Sequence, residues 1–318
     1  MRGGPFRHDG IFWRRFGAWG AVHLPDAVKV WLAPLVAWLF LLCVPAARRQ
    51  IAANLEVVLG PCGRFTSLRR SARSMTEFAH LFVETFEVQS RGARGEDVGE
   101  SLEIDLEGTP ELAGPGPGSG GPGPASRGLI VLTSHFGCWE IGARALSRYG
   151  RPVNVVMASE ANPTVRAFLE QMRVDTDLRV IFSDSSPFAS VEMLQALRRG
   201  EIVAIQMDRI APGQSTRDVR FFGRRVKLPI GAFALARAAT VPIWPVFSVR
   251  TGRRRYRFLP EPPIEIPREA GDETLLLALQ QLATRFEQRV QEFPHQWFQF
   301  GPFFEPPSPD EISPSQST

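Results

Sequence analysis

From Leu129 onward, short apolar runs and helix-like stretches take turns along the chain. The runs at 129–133, 153–157, 179–182, 202–207 and 241–249 read as strands: they are brief, rich in Val, Ile and Leu, and bounded by turn residues. Helices fit between them at 138–148, 162–173, 187–199 and 230–239. Ser186 followed by Pro187 suits a helix start, and Gly200 suits a helix stop. This alternation predicts an α/β fold with a largely parallel central sheet flanked by helices. A last helix is expected over 272–292, and "FPHQWFQF" then closes the domain.

The first half reads differently. In residues 66–88, Leu68, Met75, Phe78, Leu81, Phe82 and Phe86 recur at helical spacings. "SLEIDLEG" at 101–108 is a short strand candidate. The Gly/Pro-rich segment 108–128 cannot build a core and reads as a disordered surface loop, and 306–318 as a disordered tail. Val30 to Ala47 is eighteen residues without a charge, set between Lys29 and Arg48. A spanning helix needs about 20 apolar residues, so this run is short, and it holds Pro34 and Pro45. Phe12, Trp13, Phe16 and Trp19 precede it, mixed with Arg14 and Arg15, a composition suited to a headgroup layer. Residues 1–50 therefore read as a membrane anchor, either a short span or a helix lying in the interface. The alternative is a helix pair packed on the main domain, which occupies 51–305.

Composition adds limits. The chain has 318 residues, 44% of them hydrophobic, enough for a sizeable core. The net charge of +4 comes from 37 basic and 33 acidic residues, and the only lysines are Lys29 and Lys227. Arginine forks suit phosphates and acidic partners, although a GC-rich coding bias gives the same composition. No basic run interleaved with aromatics suggests a nucleic-acid groove. Cys43, Cys62 and Cys138 match no metal motif and no disulfide framework, which points to a reducing, cytoplasm-facing location.

The chemistry concentrates in "LTSHFGCWE", residues 132–140. His135 lies two residues beyond an apolar strand, Gly137 permits a tight turn, and Glu140 falls in the first turn of the next helix. In an α/β sheet, reactive groups collect where strands end. A histidine on that loop can act as base, with the glutamate orienting the imidazole and stabilising its charged form. The plainer alternative is a histidine capping the strand and a glutamate capping the helix.

The HxxxxE box resembles that of acyltransferases acting on lipids. More specifically, the chain resembles the bacterial lipid A biosynthesis lauroyl/myristoyl acyltransferase family. "RRQIAANLEVVLG", "SHFGCWE", "EANPTVRAFLEQMR", "LRRGEIVAIQMDR", "VRFFGRRVKLPIGAFALARAATVPIWPVF" and "FPHQWFQF" follow in that family's order. The resemblance implies a glycerol-phosphate-acyltransferase-like fold behind an N-terminal membrane-anchoring helical segment. It implies a catalytic dyad of His135 and Glu140, with Asp208 and Arg209 beside it at the carboxyl edge of the sheet. It implies an acceptor or acyl site near Phe222, Gly223 and Arg224, and a contact from Arg173 to lipid phosphate or carboxylate. Two adjacent aromatics could equally be core, Asp208–Arg209 a solvated turn, and Arg166 with Arg173 a solvated helix face. Trp297 reads as packing near the membrane side.

The implied donor is an acyl carrier protein thioester and the acceptor a lipid in the cell inner membrane, met from its cytoplasmic face. No metal, cofactor or nucleic acid is required. A phospholipid or glycolipid acyltransferase using acyl-coenzyme A is the alternative. An esterase or thioesterase with Ser134 as nucleophile is a further one, but no GxSxG elbow occurs, and strand alternation sends Ser134 and His135 apart.

Overall fold

The computed structural model describes residues 11–92, 103–105, 127–147, 150–158, 178–184, 188–211 and 213–304. Its helices are α1 (Ile11–His23), α2 (Asp26–Cys43), α3 (Pro45–Leu59), α4 (Arg64–Gly92), α5 (Trp139–Ser147), α6 (Ala189–Arg198), α7 (Gly231–Ala239) and α8 (Asp272–Glu292). Seven strands make the main sheet: β1 (Glu103–Asp105), β2 (Leu129–Thr133), β3 (Val153–Met157), β4 (Leu178–Phe182), β5 (Ile202–Gln206), β8 (Ile243–Gly252) and β9 (Arg255–Pro260). Strands β6 (Thr216–Phe221) and β7 (Arg224–Pro229) form a separate antiparallel hairpin. The sheet order is β1-β9-β8-β2-β5-β3-β4, and only β8 and β9 pair antiparallel. The expected largely parallel α/β sheet is therefore present.

Strand alternation sorts the core into two layers. Ile130, Leu132, Val203, Ile243 and Phe247 face one way, onto α7, α8 and the β6–β7 hairpin. Leu129, Val131, Ile202, Ala204, Trp244 and Val246 face the other way, onto α5. Such doubly buried strands carry near-continuous apolar runs, which is why they were readable in the sequence. Helix α4 joins the second layer, where Leu81 and Val88 pack with Ile141 and Tyr256.

Three features differ from expectation. The β6–β7 hairpin and β9 were not anticipated as strands, because their apolar residues alternate with arginines. The strand expected at 241–249 starts at Ile243 and runs on to Gly252 through a bulge near the β9 turn. The uncharged N-terminal run is divided by Val44, with Pro45 opening α3. The helix expected at 162–173 and most of the 108–128 insert lie outside the described residues.

Helix α2 has two unlike faces. Lys29, Ala33, Ala37 and Leu41, at four-residue spacing, are buried. The last two join a cluster with Ile51 and Leu55 of α3 and Ala72 and Met75 of α4. Lys29 pairs with Glu87 of α4, and Arg253 of the β8–β9 turn pairs with Asp26. Its other face exposes Trp31 (81%), Leu35, Leu39 and Leu42, and Phe16 and Trp19 of α1 are exposed as well. Among the described helices α2 alone is long and apolar enough to cross a membrane, with mean hydropathy 1.8.

Candidate active site

Parallel pairing of β2 and β5 sets Thr133 level with Gln206. Two residues beyond each strand, at the carboxyl edge of the sheet, stand His135 and Asp208. The Met207 N–H donates to the Thr133 carbonyl at 2.9 Å and keeps the two exits side by side. His135 Nδ1 lies 2.8 Å from Asp208 Oδ1, and the His135 backbone N–H donates to the same oxygen at 2.9 Å. The Asp208 side chain is 0% exposed and the imidazole 18%, so the carboxylate is sealed behind a ring that reaches the surface.

Burial alone would raise the Asp208 pKa. The hydrogen bonds from the His135 ring and backbone, with the Arg209 charge nearby, overcome that and hold the carboxyl below its ordinary value. An ionised carboxylate only accepts, so Nδ1 carries a hydrogen, which in the neutral imidazole leaves the lone pair on Nε2.

The turn carrying His135 is held from two sides. Gly137 has φ +54°, and its N–H donates to the Gln296 carbonyl at 2.8 Å. The closing segment acts as a clamp. The Phe298 N–H donates to the His135 carbonyl at 2.8 Å, and Gln299 Nε2 donates to the Asp208 carbonyl at 3.1 Å. Gln296 pairs through its side chain with both backbone groups of Arg250, each at 2.8 Å. Asn54 Nδ2 of α3 donates to the Gln299 and Gly301 carbonyls. Sequence reasoning missed Asn54, Gln296 and Gln299; their glutamines in "HQWFQF" were the available signal.

Glu140 occupies the first turn of α5 as expected and accepts from Gln89 Nε2 of α4 at 3.4 Å. At Nδ1 the His135 ring meets Asp208, because register brings the β5 exit level with His135. Arg209 is exposed and reaches the Phe298 carbonyl at 3.5 Å. Arg173 lies outside the described residues.

Phe222 and Gly223 form the β6–β7 turn, both at positive φ (50° and 71°), the pairing that a two-residue hairpin loop requires. The Phe222 N–H donates to Glu287 Oε2 at 2.6 Å, and Arg224 sits over the Phe304 ring. Phe221 packs against Trp297 and Phe286, and Trp297 backs the turn by bridging to Phe136. Trp297 is therefore interior packing beside the turn.

Burial withdraws Ser134 as a nucleophile candidate and keeps Cys138 inert. The Ser134 side chain is fully buried, and its Oγ has no hydrogen-bond partner among the described residues, so no imidazole activates it. Burial pushes the Cys138 thiol far above its ordinary range, so it stays protonated near neutral pH. A small gap between α5 and the sheet, with room for little more than a water molecule, is lined by Val131, Thr133, Leu146, Val155, Gln206 and Phe258. It is mostly apolar and begins beside the last residues of β2 and β5.

A base with no neighbouring protein nucleophile suits an enzyme that activates a hydroxyl of its substrate, and comparison with known proteins supplies the class. It is an O-acyltransferase. Residues 6–305 match the family model of the bacterial lipid A biosynthesis acyltransferases, so the chain belongs to that family, whose reaction is acyl transfer to lipid. Among solved structures it is similar to the crystal structure of the 1-acyl-sn-glycerophosphate (LPA) acyltransferase, PlsC, from Thermotoga maritima. That match has 15% identity and a TM-score of 0.37, and covers 86% of this chain and 99% of the other. Comparison with curated proteins gives no match.

Proposed function

We propose that the enzyme moves a fatty acyl chain from an acyl carrier protein thioester to a hydroxyl of a lipid A precursor or related glycolipid, at the cytoplasmic face of the inner membrane. The observation that carries the mechanism is the His135–Asp208 pair. Nε2 of His135 takes the acceptor hydroxyl's proton, and the alkoxide oxygen attacks the thioester carbonyl. Asp208 fixes the tautomer and stabilises the imidazolium that forms. The N–H groups opening α5 stand at the turn where the tetrahedral oxyanion develops, and the helix dipole favours that charge. Collapse breaks the carbon–sulfur bond, and the thiolate recovers the proton from His135. Glu140, in the first turn of α5, remains a second candidate carboxylate near the same turn. Arg173, Arg209, Phe222, Gly223 and Arg224 remain the candidate acceptor and donor contacts.

The test is a purified enzyme given labelled acyl carrier protein thioester, or the matching coenzyme A thioester, with a panel of lipid hydroxyl acceptors. The expected product is an ester on a phosphorylated glucosamine lipid. Free fatty acid alone, with no acceptor ester, would favour the esterase reading. Ester on lysophospholipid alone would move the acceptor to the phospholipid class.

The exposed face of α2 supports membrane docking. Trp31, Leu35, Leu39 and Leu42 project from a helix whose other face is fastened to α4, an arrangement suited to lying in the interface. Each large apolar side chain is worth roughly 1.5–3 kcal/mol on leaving water. Trp31→Asp with Leu35→Asp is therefore expected to weaken vesicle binding about 100-fold or more, leaving melting temperature nearly unchanged. Undiminished sedimentation with vesicles would refute the docking face.

A further inference from the structure

The β6–β7 hairpin has one apolar face and one charged face. Val219, Phe221, Val226 and Leu228 are buried against the first core layer. The opposite face carries Asp218, Arg220, Arg225 and Lys227, all exposed. The register sets Asp218 across from Lys227, a complementary pair, but Arg220 directly across from Arg225. Like charges facing each other across a ladder destabilise it. Among the described residues, neither arginine pairs with a carboxylate; Arg220 Nη1 donates to the Gly223 carbonyl at 3.1 Å. The hairpin keeps its place through its backbone. The Arg220 N–H donates to Gln280 Oε1 at 2.7 Å, and Gln280 Nε2 returns a bond to the Arg220 carbonyl at 2.9 Å. The two guanidinium groups thus contribute repulsion to the fold and a pair of charge-bearing forks to the surface.

We infer that this hairpin face is the docking surface for an acidic protein that carries the acyl thioester. The inference rests on the carrier-protein donor proposed above. Charge complementarity selects an anionic partner. The layering selects a soluble protein over the bilayer: the hairpin packs on α8 against one side of the sheet, whereas α2, with its exposed apolar face, packs on α4 on the other side. The turn end of the hairpin is also close to the chemistry. Phe221 contacts Trp297 at 5.8 Å between ring centroids, and Trp297 bridges to Phe136, the neighbour of His135. A flexible thioester arm from a protein seated here enters beside the catalytic turn.

Arg220→Glu is the informative variant, because it converts a repulsive cross-strand pair into an attractive one while cancelling the surface charge. Its melting temperature should hold or rise slightly. With an acyl carrier protein thioester, KM should rise roughly tenfold with kcat unchanged, and its rise between about 50 and 500 mM salt should flatten. With a coenzyme A thioester of the same chain, KM should stay within about twofold. Wild-type enzyme that turns over only the coenzyme A thioester would overturn the donor reading itself. Wild-type use of the carrier protein, with Arg220→Glu unaltered, would overturn the docking surface alone. An equal KM rise for both donors, or a loss of binding to anionic vesicles, would also overturn it, since the hairpin would then serve the shared acyl arm or lipid headgroups.

Discussion

His135→Ala is expected to lower acyl transfer at least about 1,000-fold with the fold retained and the melting temperature falling only modestly, because the general base is removed and the buried Asp208 keeps its backbone N–H donor. The ring is 18% exposed, and its loss leaves the backbone clamp from Phe298 and the His135 N–H bond to Asp208 in place. Asp208→Asn separates the two carboxylates. It keeps the volume but removes the charge that fixes the tautomer and steadies the imidazolium, so kcat should fall about 100- to 10,000-fold. KM for donor and acceptor should change little, because Asp208 is sealed behind the imidazole and touches neither. Glu140→Gln should divide its effect differently, raising acceptor KM along with any loss in kcat. Steady-state kinetics on the three variants checks this. Near wild-type turnover in His135→Ala ends the mechanism. A pure kcat loss in Glu140→Gln beside a mild Asp208→Asn would return the orienting role to Glu140.

The difference between the two carboxylates shows where sequence reading stops. His135, Gly137 and Glu140 lie within six residues, so turn chemistry and helix capping could be read locally. Asp208 is 73 residues from His135 and reaches it only through the pairing of β2 with β5. Nothing local fixes which strands are neighbours: in the observed order β2 sits between β8 and β5, not beside β3. The central strands and α8 were legible because burial on both sides, or one long apolar stripe, leaves an unbroken pattern. The β6–β7 hairpin was not, since its outward positions are arginine and aspartate and its turn places a phenylalanine at φ 50° where asparagine or glycine would have announced it. The family resemblance placed Asp208 beside the dyad and the "FFGR" block near an acceptor or acyl site, without giving the bonds that either makes.

Gly137→Ala should be nearly as damaging to activity as loss of His135, though the residue has no side chain to contribute. Its φ of +54° lies in the left-handed region, which costs an alanine roughly 1–2 kcal/mol. Space adds the larger penalty. A Cβ at Gly137 would fall 1.6 Å from the Ser248 carbonyl oxygen and 2.7 Å from its carbon, both backbone atoms of β8. Neither can swing aside as a side-chain tip would, so the turn must lift off β8 or β8 must shift within the sheet. Overpacking of that kind adds roughly 1–3 kcal/mol, for a combined loss of roughly 2–5 kcal/mol. Lifting the turn also breaks the Gly137 bond to Gln296 and moves His135 off the β5 exit, which displaces the imidazole from Asp208. Gly150→Ala is the control: its φ is +70°, but a Cβ there meets nothing within 4 Å, so only the conformational part applies. Thermal melts and turnover on both variants decide the matter. Gly137→Ala should melt several degrees below Gly150→Ala and lose transfer, while Gly150→Ala keeps it; equal melting temperatures and equal activities would mean that close backbone packing at β8 does not hold the catalytic turn.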